Sequence, residues 1–229
     1  MKKKSKATIT KYPEYERALQ KYNGKLRLDI GGGSHPMEGC ANMDVRYFPG
    51  VDFVHNLEKF PWPFPDESVS FVFGSHILEH INPTMPDPKL VGLIDLLLNK
   101  GVINHDEADK YIGEYKHLNT FIRFMDEVWR ILEPGGRFIF VVPYAGSLGY
   151  WQDPTHVNPI NEVTLAYFDP LDLSGFYRFY KPKPWKIVDN IWNSGGTLEV
   201  RLEKRLVDPD YGSEEFLNEL KKRYENKPK

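Results

Sequence analysis

At 229 residues, with 41% hydrophobic and 27% charged residues, the chain is long enough to bury one sizeable core, which sets intrinsic disorder aside. A net charge of -2 provides no field to gather nucleic acid or an anionic membrane, and the basic start MKKKSK reads as a solvated tail over residues 1–6. One cysteine, Cys40, allows no internal disulfide and reads as a packed residue, and with no run of about eighteen apolar residues and no apolar stretch after the basic start, a cytoplasmic, unanchored chain is expected.

In chain order, Pro13 to Tyr22 predicts a helix with Tyr15, Ala18 and Tyr22 near one face, stopped by Asn23-Gly24. KLRLDI alternates into a first strand and runs directly into Gly31-Gly32-Gly33. CANMDV predicts a short second strand ending near Asp44, VDFVHNL a third, and SVSFVFGS a fourth whose apolar density suits cover on both faces. EKFPWPFPDE, between the third and fourth, holds too many prolines for a helix interior. SHILEHI starts as a helix would, but Pro83, Pro86 and Pro88 interrupt it. An amphipathic stretch from about Lys89 to Tyr115 reads as a helical insertion, bounded at 83–118 within a single domain spanning 1–229. NTFIRFMDEVWRIL places Ile122, Met125, Val128, Trp129 and Leu132 on one helical stripe, with EPGG as its stop and RFIFVVP as the next strand. KPWKIVDNIW and GTLEVRLEKR flank Asn193-Ser194-Gly195-Gly196 as an antiparallel hairpin, and Ser213 to about Tyr224 predicts a last amphipathic helix.

Strands separated by helices and crossovers imply an α/β fold: an open, mostly parallel sheet with helices on both faces and a C-terminal antiparallel hairpin. In such sheets ligands sit beyond the carboxyl ends of the strands. That rule puts Asp29 to His35, Asp44, Asn56, Ser75 to His80 and the residues from Pro143 onward on one rim.

Three ligands compete for the glycine run. A phosphate loop needs a lysine followed by Ser or Thr, which GGGSHPME lacks. A dinucleotide fold prefers G-x-G-x-x-G opening a helix whose N-terminus holds the pyrophosphate; here Pro36 takes the third glycine position and no long helix fits before Asp44, which disfavours a nicotinamide-dependent dehydrogenase. A nucleoside without phosphates is the third.

LDIGGGSHP, MEGCANMDV, VDFVHNLEKFPWPFPDES, FVFGSHILEHI and LEPGGRFIFVVP, in this order, resemble the class I S-adenosylmethionine-dependent methyltransferases, in the branch with a short segment between the glycine loop and the second acidic residue. The likeness covers about Leu26 to Pro143 without the insertion. It implies a Rossmann-like fold, S-adenosylmethionine as cofactor, and methyl transfer to a small molecule or to a terminal group of a glycan or peptide. It also implies that Gly31, Gly32 and Gly33 let backbone approach the cofactor, with Asp29 near its methionine portion. Asp44 would accept hydrogen bonds from both ribose hydroxyls. Asn56, where the family often has aspartate, would face the adenine beside Leu57, and Ser75 and His76 would lie along the methionine moiety. Ser70 stands where the family usually carries an acid. A non-catalytic relative that binds the cofactor is the alternative from another class.

HILEH, His76 to His80, also fits H-x-x-E-H, which inside a long helix sets two imidazoles around zinc with Glu79 as the base of a hydrolase. The flanking strand and Pro83 leave room only for a short helix, so no metal is expected there. Beyond the last parallel strand, PYAGSLGYWQDPTHVNPI brings Asp153 and His156 to the rim as candidate catalytic residues, since an imidazole can take the proton of a hydroxyl or amine as it is methylated. Aspartate before proline is equally a turn starter. The insertion would cover the acceptor or form a homo-oligomer contact; neither a membrane nor nucleic acid is expected as partner.

Overall fold

A computed structural model describes residues 11–82, 88–104, 107, 119–206, 214, 217, 218 and 221, those at 88–91 and 95 by backbone alone. The expected basic tail, both ends of the 83–118 insertion and most of the expected helix from Ser213 to Tyr224 lie outside the described residues.

Seven strands form one sheet: β1 Arg27–Ile30, β2 Ala41–Asp44, β3 Phe53–Val54, β4 Val69–Ser75, β5 Leu132–Pro143, β6 Trp185–Trp192 and β7 Thr197–Lys204. Their order is β3-β2-β1-β4-β5-β7-β6. The first five run parallel, and β7 lies antiparallel between β5 and β6. This is a Rossmann-like open sheet with an antiparallel hairpin at one edge. Helices α1 Pro13–Lys21, α2 Pro88–Asn99, α3 Thr120–Ile131, α4 Leu148–Trp151, α5 Glu162–Ala166 and α6 Tyr177–Tyr180, with a 3-10 turn at Leu78–His80, complete the described fold.

Helix α1 begins on a proline with Glu14 and Glu16 in its first turn, which suits the positive end of the helix. It stops where Asn23 and Gly24 both turn left-handed, at φ of 56° and 80°. Helix α3 is capped by the Asn119 side chain, which accepts from the Ile122 N–H at 3.0 Å. Its buried residues Phe121, Ile122, Phe124, Met125, Val128 and Ile131 pack into the core, each burial being worth about 1.5–3 kcal/mol. The helix ends at Ile131, one residue earlier than expected and just before EPGG. Leu132, expected on the helical stripe, is already extended and pairs with Val69, while the register then jumps to Phe71 against Arg137. Residues 133–136 are therefore looped out within β5, with Gly135 left-handed.

Strand β3 is shorter than VDFVHNL suggests. His55 still donates its N–H to the Asp44 carbonyl, but Asn56 turns the chain by accepting the Glu58 N–H on its own side chain. The proline-rich stretch that follows is irregular, and its Trp62 and Phe64 are fully buried, Phe64 against Phe53. Strand β4 is covered unevenly: Val69, Val72 and Gly74 are buried, whereas Ser70, Phe71 and Phe73 are half-buried. In β7, Leu198, Val200, Leu202 and Lys204 all face inward, the period-2 pattern of a strand with one face on the core. No helix among the described residues is long and apolar enough to cross a membrane.

Candidate functional site

The chain leaves β1 for β2 and β3 on one side, then crosses back to β4 on the other, so the connections diverge above the carboxyl ends of β1 and β4. Such a switch point is where ligands of open α/β sheets bind. The glycine run follows β1 directly at this point.

Gly31 is left-handed, at φ 72°, and donates its N–H to the Met43 carbonyl at 2.7 Å. A Cβ there would come within 2.0 Å of the Ile77 side chain. At Gly32 it would meet the Asn42 and Asp29 side-chain oxygens at 2.7 and 2.9 Å. These two glycines thus make room for the chain's own groups. Gly33, also left-handed, has open space around its Cβ direction and is the position where a ligand can approach the backbone. Turns, with no helix, carry the chain from Gly33 to β2.

Two carboxylates flank the loop. Asp29 is buried, accepts the Met37 N–H at 2.6 Å, and forms no ion pair among the described residues. Burial pushes its carboxyl above the usual range, partly offset by that hydrogen bond. Asp44 ends β2 half-buried, and its two oxygens accept from the N–H groups of Gly33, at 3.1 Å, and Arg46, at 2.8 Å. Each oxygen keeps a further lone pair for a ligand hydroxyl. Asn56 is half-buried with its amide oxygen on Glu58, and Leu57 is buried beside it. The Ser70 hydroxyl and N–H both donate to the Leu26 carbonyl, so this residue ties β4 to the start of β1 and has no part in the crevice.

HILEH does not form the helix that an i, i+4 histidine pair requires. His76 is left-handed at φ 55°, and only Leu78–His80 makes a single 3-10 turn. Ser75 and His76 are exposed at the end of β4. The Glu79 carboxylate, 3.3 Å from His76 Nδ1, raises that imidazole's affinity for a proton against the effect of its partial burial. Glu79 itself is fully buried.

A second segment folds onto this turn. The Val157 and Asn158 N–H groups both donate to the Glu79 carbonyl, at 2.9 and 3.0 Å, and the Asn158 amide donates to the Leu78 carbonyl. These bonds deliver His156 to Glu79, with Nε2 3.9 Å from Oε1. The His156 ring meets His80 edge-on at 4.8 Å and lies against Tyr150. Asp153 Oδ2 stands 3.8 Å from Nε2 of His156, so the two expected catalytic residues are together. Asp153 is also a turn starter: its other oxygen accepts the Thr155 N–H and hydroxyl, which holds its carboxyl below the usual range. Sequence reasoning missed Thr155 and Tyr150, whose carbonyl binds His156 Nδ1. The Asp-Pro-Thr turn was the available signal for Thr155; nothing local marks Tyr150.

No protein-family model and no curated protein matches the chain. Among solved structures, it is similar to a SAM-dependent methyltransferase from Aquifex aeolicus, at 13% identity over 85% of this chain and 92% of that one, with a TM-score of 0.43. It is also similar to a SAM-dependent methyltransferase from Archaeoglobus fulgidus, at 14% identity over 85% and 95%, TM-score 0.41. It is similar as well to the [4+2]-cyclase SpnF, at 10% identity over 84% of this chain and 81% of that one, TM-score 0.44. A likeness of this degree says nothing about what this chain binds.

Proposed function

We propose that the chain is an S-adenosylmethionine-dependent methyltransferase acting on a small molecule or a terminal group of a glycan or peptide. One observation carries the reading: at the switch-point crevice, an open glycine backbone at Gly33 is tied to a carboxylate, Asp44, with no helix N-terminus behind it. A pyrophosphate would find neither dipole nor amide cradle there, whereas an uncharged nucleoside needs only backbone access and an acceptor for its ribose hydroxyls.

The surrounding residues fit the rest of that cofactor. Asp29, a buried carboxylate without a cation among the described residues, suits the ammonium of an amino-acid tail. Asn56 and Leu57 suit the adenine, and Ser75 and His76 the methionine chain. Bound S-adenosylmethionine supplies an electrophilic methyl carbon on a sulfonium. The chain's own task is to align an acceptor with it, worth about 7–11 kcal/mol through proximity, while proton removal adds about a hundredfold to ten-thousandfold. His156 and Asp153 are the pair to handle the acceptor's proton, linked to the cofactor side through Glu79 and His76.

Titration calorimetry with S-adenosylhomocysteine tests this reading. We expect one site per chain in the wild type and at least about tenfold weaker binding in Asp44→Ala, equivalent to one lost hydrogen bond to a charged group. No heat of binding in the folded wild type would overturn the proposal, and undiminished affinity in the variant would remove the ribose assignment.

A further inference from the structure

We propose that Glu79, His80 and His156 form a binding site for a divalent transition-metal ion of the zinc class. One ligating atom from each lies within 4.8 Å of the other two. In place of the i, i+4 pair that H-x-x-E-H would need, His80 meets a histidine from a distant loop, where Thr155, 75 residues from His80, also reaches it.

The Glu79 carboxylate is the first reason. It is 0% exposed, and neither of its oxygens accepts a hydrogen bond among the described residues. His76 Nδ1, 3.3 Å away, is its nearest ion-pair partner, but that side chain is half in solvent. A buried anion so poorly satisfied is costly unless a cation joins it.

The two imidazoles are the second. His156 Nδ1 is 2.8 Å from the Tyr150 carbonyl, which can only accept, so Nδ1 carries the hydrogen and Nε2 has the lone pair. That lone pair faces Glu79 and Asp153. His80 Nδ1 is bonded to the Thr155 carbonyl and to the Thr155 hydroxyl oxygen, whose own hydrogen goes to Asp153 at 2.7 Å, so this Nδ1 also donates. Imidazoles held by Nδ1–H on carbonyl oxygens, with Nε2 left bare, are oriented as metal-ligating histidines are.

Size and chemistry agree. Tetrahedral ligands at about 2.0–2.2 Å from zinc stand about 3.4 Å apart, so the three ligating atoms, 3.9 Å apart for Glu79 Oε1 and His156 Nε2 and within 4.8 Å overall, would draw together by about 1 Å on an ion. Two nitrogens and one carboxylate favour zinc, iron, nickel or copper over magnesium or calcium, and leave coordination positions open. The chemical consequence rests on the methyl-transfer reading. With an ion on Nε2, His156 would hold an acceptor hydroxyl through the metal, lowering that hydroxyl's pKa. The proton would leave to solvent at the exposed Asp153 edge, and the oxygen would bond to the methyl carbon as the carbon–sulfur bond breaks to a neutral thioether. The acceptor class is therefore a nucleophile whose proton a bound metal ion acidifies, such as a hydroxyl.

The test uses full-length protein freed of metal by chelator and titrated with Co²⁺ alone, followed by visible absorption, with Zn²⁺ as competitor. The expected result is one Co²⁺ per chain, displaced by Zn²⁺, with affinity weakened at least about 10–100-fold in Glu79→Gln, His80→Asn and His156→Gln. A cooperative thermal unfolding transition in each metal-free variant, like that of the metal-free wild type, shows that they fold. Absence of stoichiometric uptake, or uptake that survives both Glu79→Gln and His156→Gln, would overturn the site. Metal uptake by a protein that binds no S-adenosylhomocysteine would support the site and remove methyl transfer.

Discussion

Asp29 shows what a single residue costs the fold. Its carboxyl is raised by burial, so the folded chain holds the proton more tightly than the unfolded chain does. Its contribution to stability is complete below the unfolded value, near 3.9, and is lost as pH rises through the folded one. At neutral pH the ionised group therefore destabilises the fold. Asp29→Asn, which keeps an oxygen for the Met37 N–H, should melt higher than wild type near neutrality, by about 2–4 °C for each kcal/mol relieved. The difference should vanish below about pH 4, and S-adenosylhomocysteine binding should weaken. A variant less stable than wild type at neutral pH would contradict this. The glycines divide in a similar way. Gly31→Ala must displace Ile77 and hold a left-handed alanine, a combined loss of about 2–5 kcal/mol, whereas Gly33→Ala meets only the backbone cost of about 1–2 kcal/mol. Equal losses in denaturant melts of the two would refute the crowding at Gly31. The triple glycine was legible as a close approach; that two of the three serve the chain's own side chains was not, because Ile77 reaches them from the turn after β4 and Asn42 from β2.

At the scale of elements, local signals were read well wherever the physics is local. Asn119 before an apolar stripe marks a capped helix, and Asn119→Ala should cost about 1 kcal/mol, a fall of about 2–4 °C in melting temperature, without altering S-adenosylhomocysteine affinity. A parallel drop in that affinity would show that α3 does more than support the sheet. The limits of such reading are visible in EPGG and HILEH. Leu132 leaves the helical stripe because pairing with Val69 outweighs one more helical turn, and the glycines then accommodate the loop inside β5. His76 leaves the helix pattern because its N–H is taken by the Val141 carbonyl of β5, and Glu79's carbonyl is taken by Val157 and Asn158. Lys204 is a further case. A charge in the core row of β7 looks misplaced in sequence, yet its ammonium donates to the Leu132 carbonyl and to Glu67 and lies over the Trp129 ring.

For the whole molecule, the alternation of strands with crossovers was enough to derive a mostly parallel sheet, and Asn193-Ser194-Gly195-Gly196 was enough to place a hairpin at its edge. The grouping of the proposed cofactor residues follows from that topology, because they sit at or just beyond strand ends set by the pattern. The grouping of Glu79, His80 and His156 was beyond reach, since it depends on hydrogen bonds between a 3-10 turn and a loop far along the chain. The central claim, that the crevice above β1, β2 and β4 receives an uncharged nucleoside, is tested most directly by a crystal structure of the protein soaked with S-adenosylhomocysteine. The account predicts density with ribose hydroxyls on Asp44, the adenine beside Asn56 and Leu57, and the amino-acid tail toward Asp29. Density elsewhere on the molecule, or none in a crystal whose crevice is open to solvent, would contradict it.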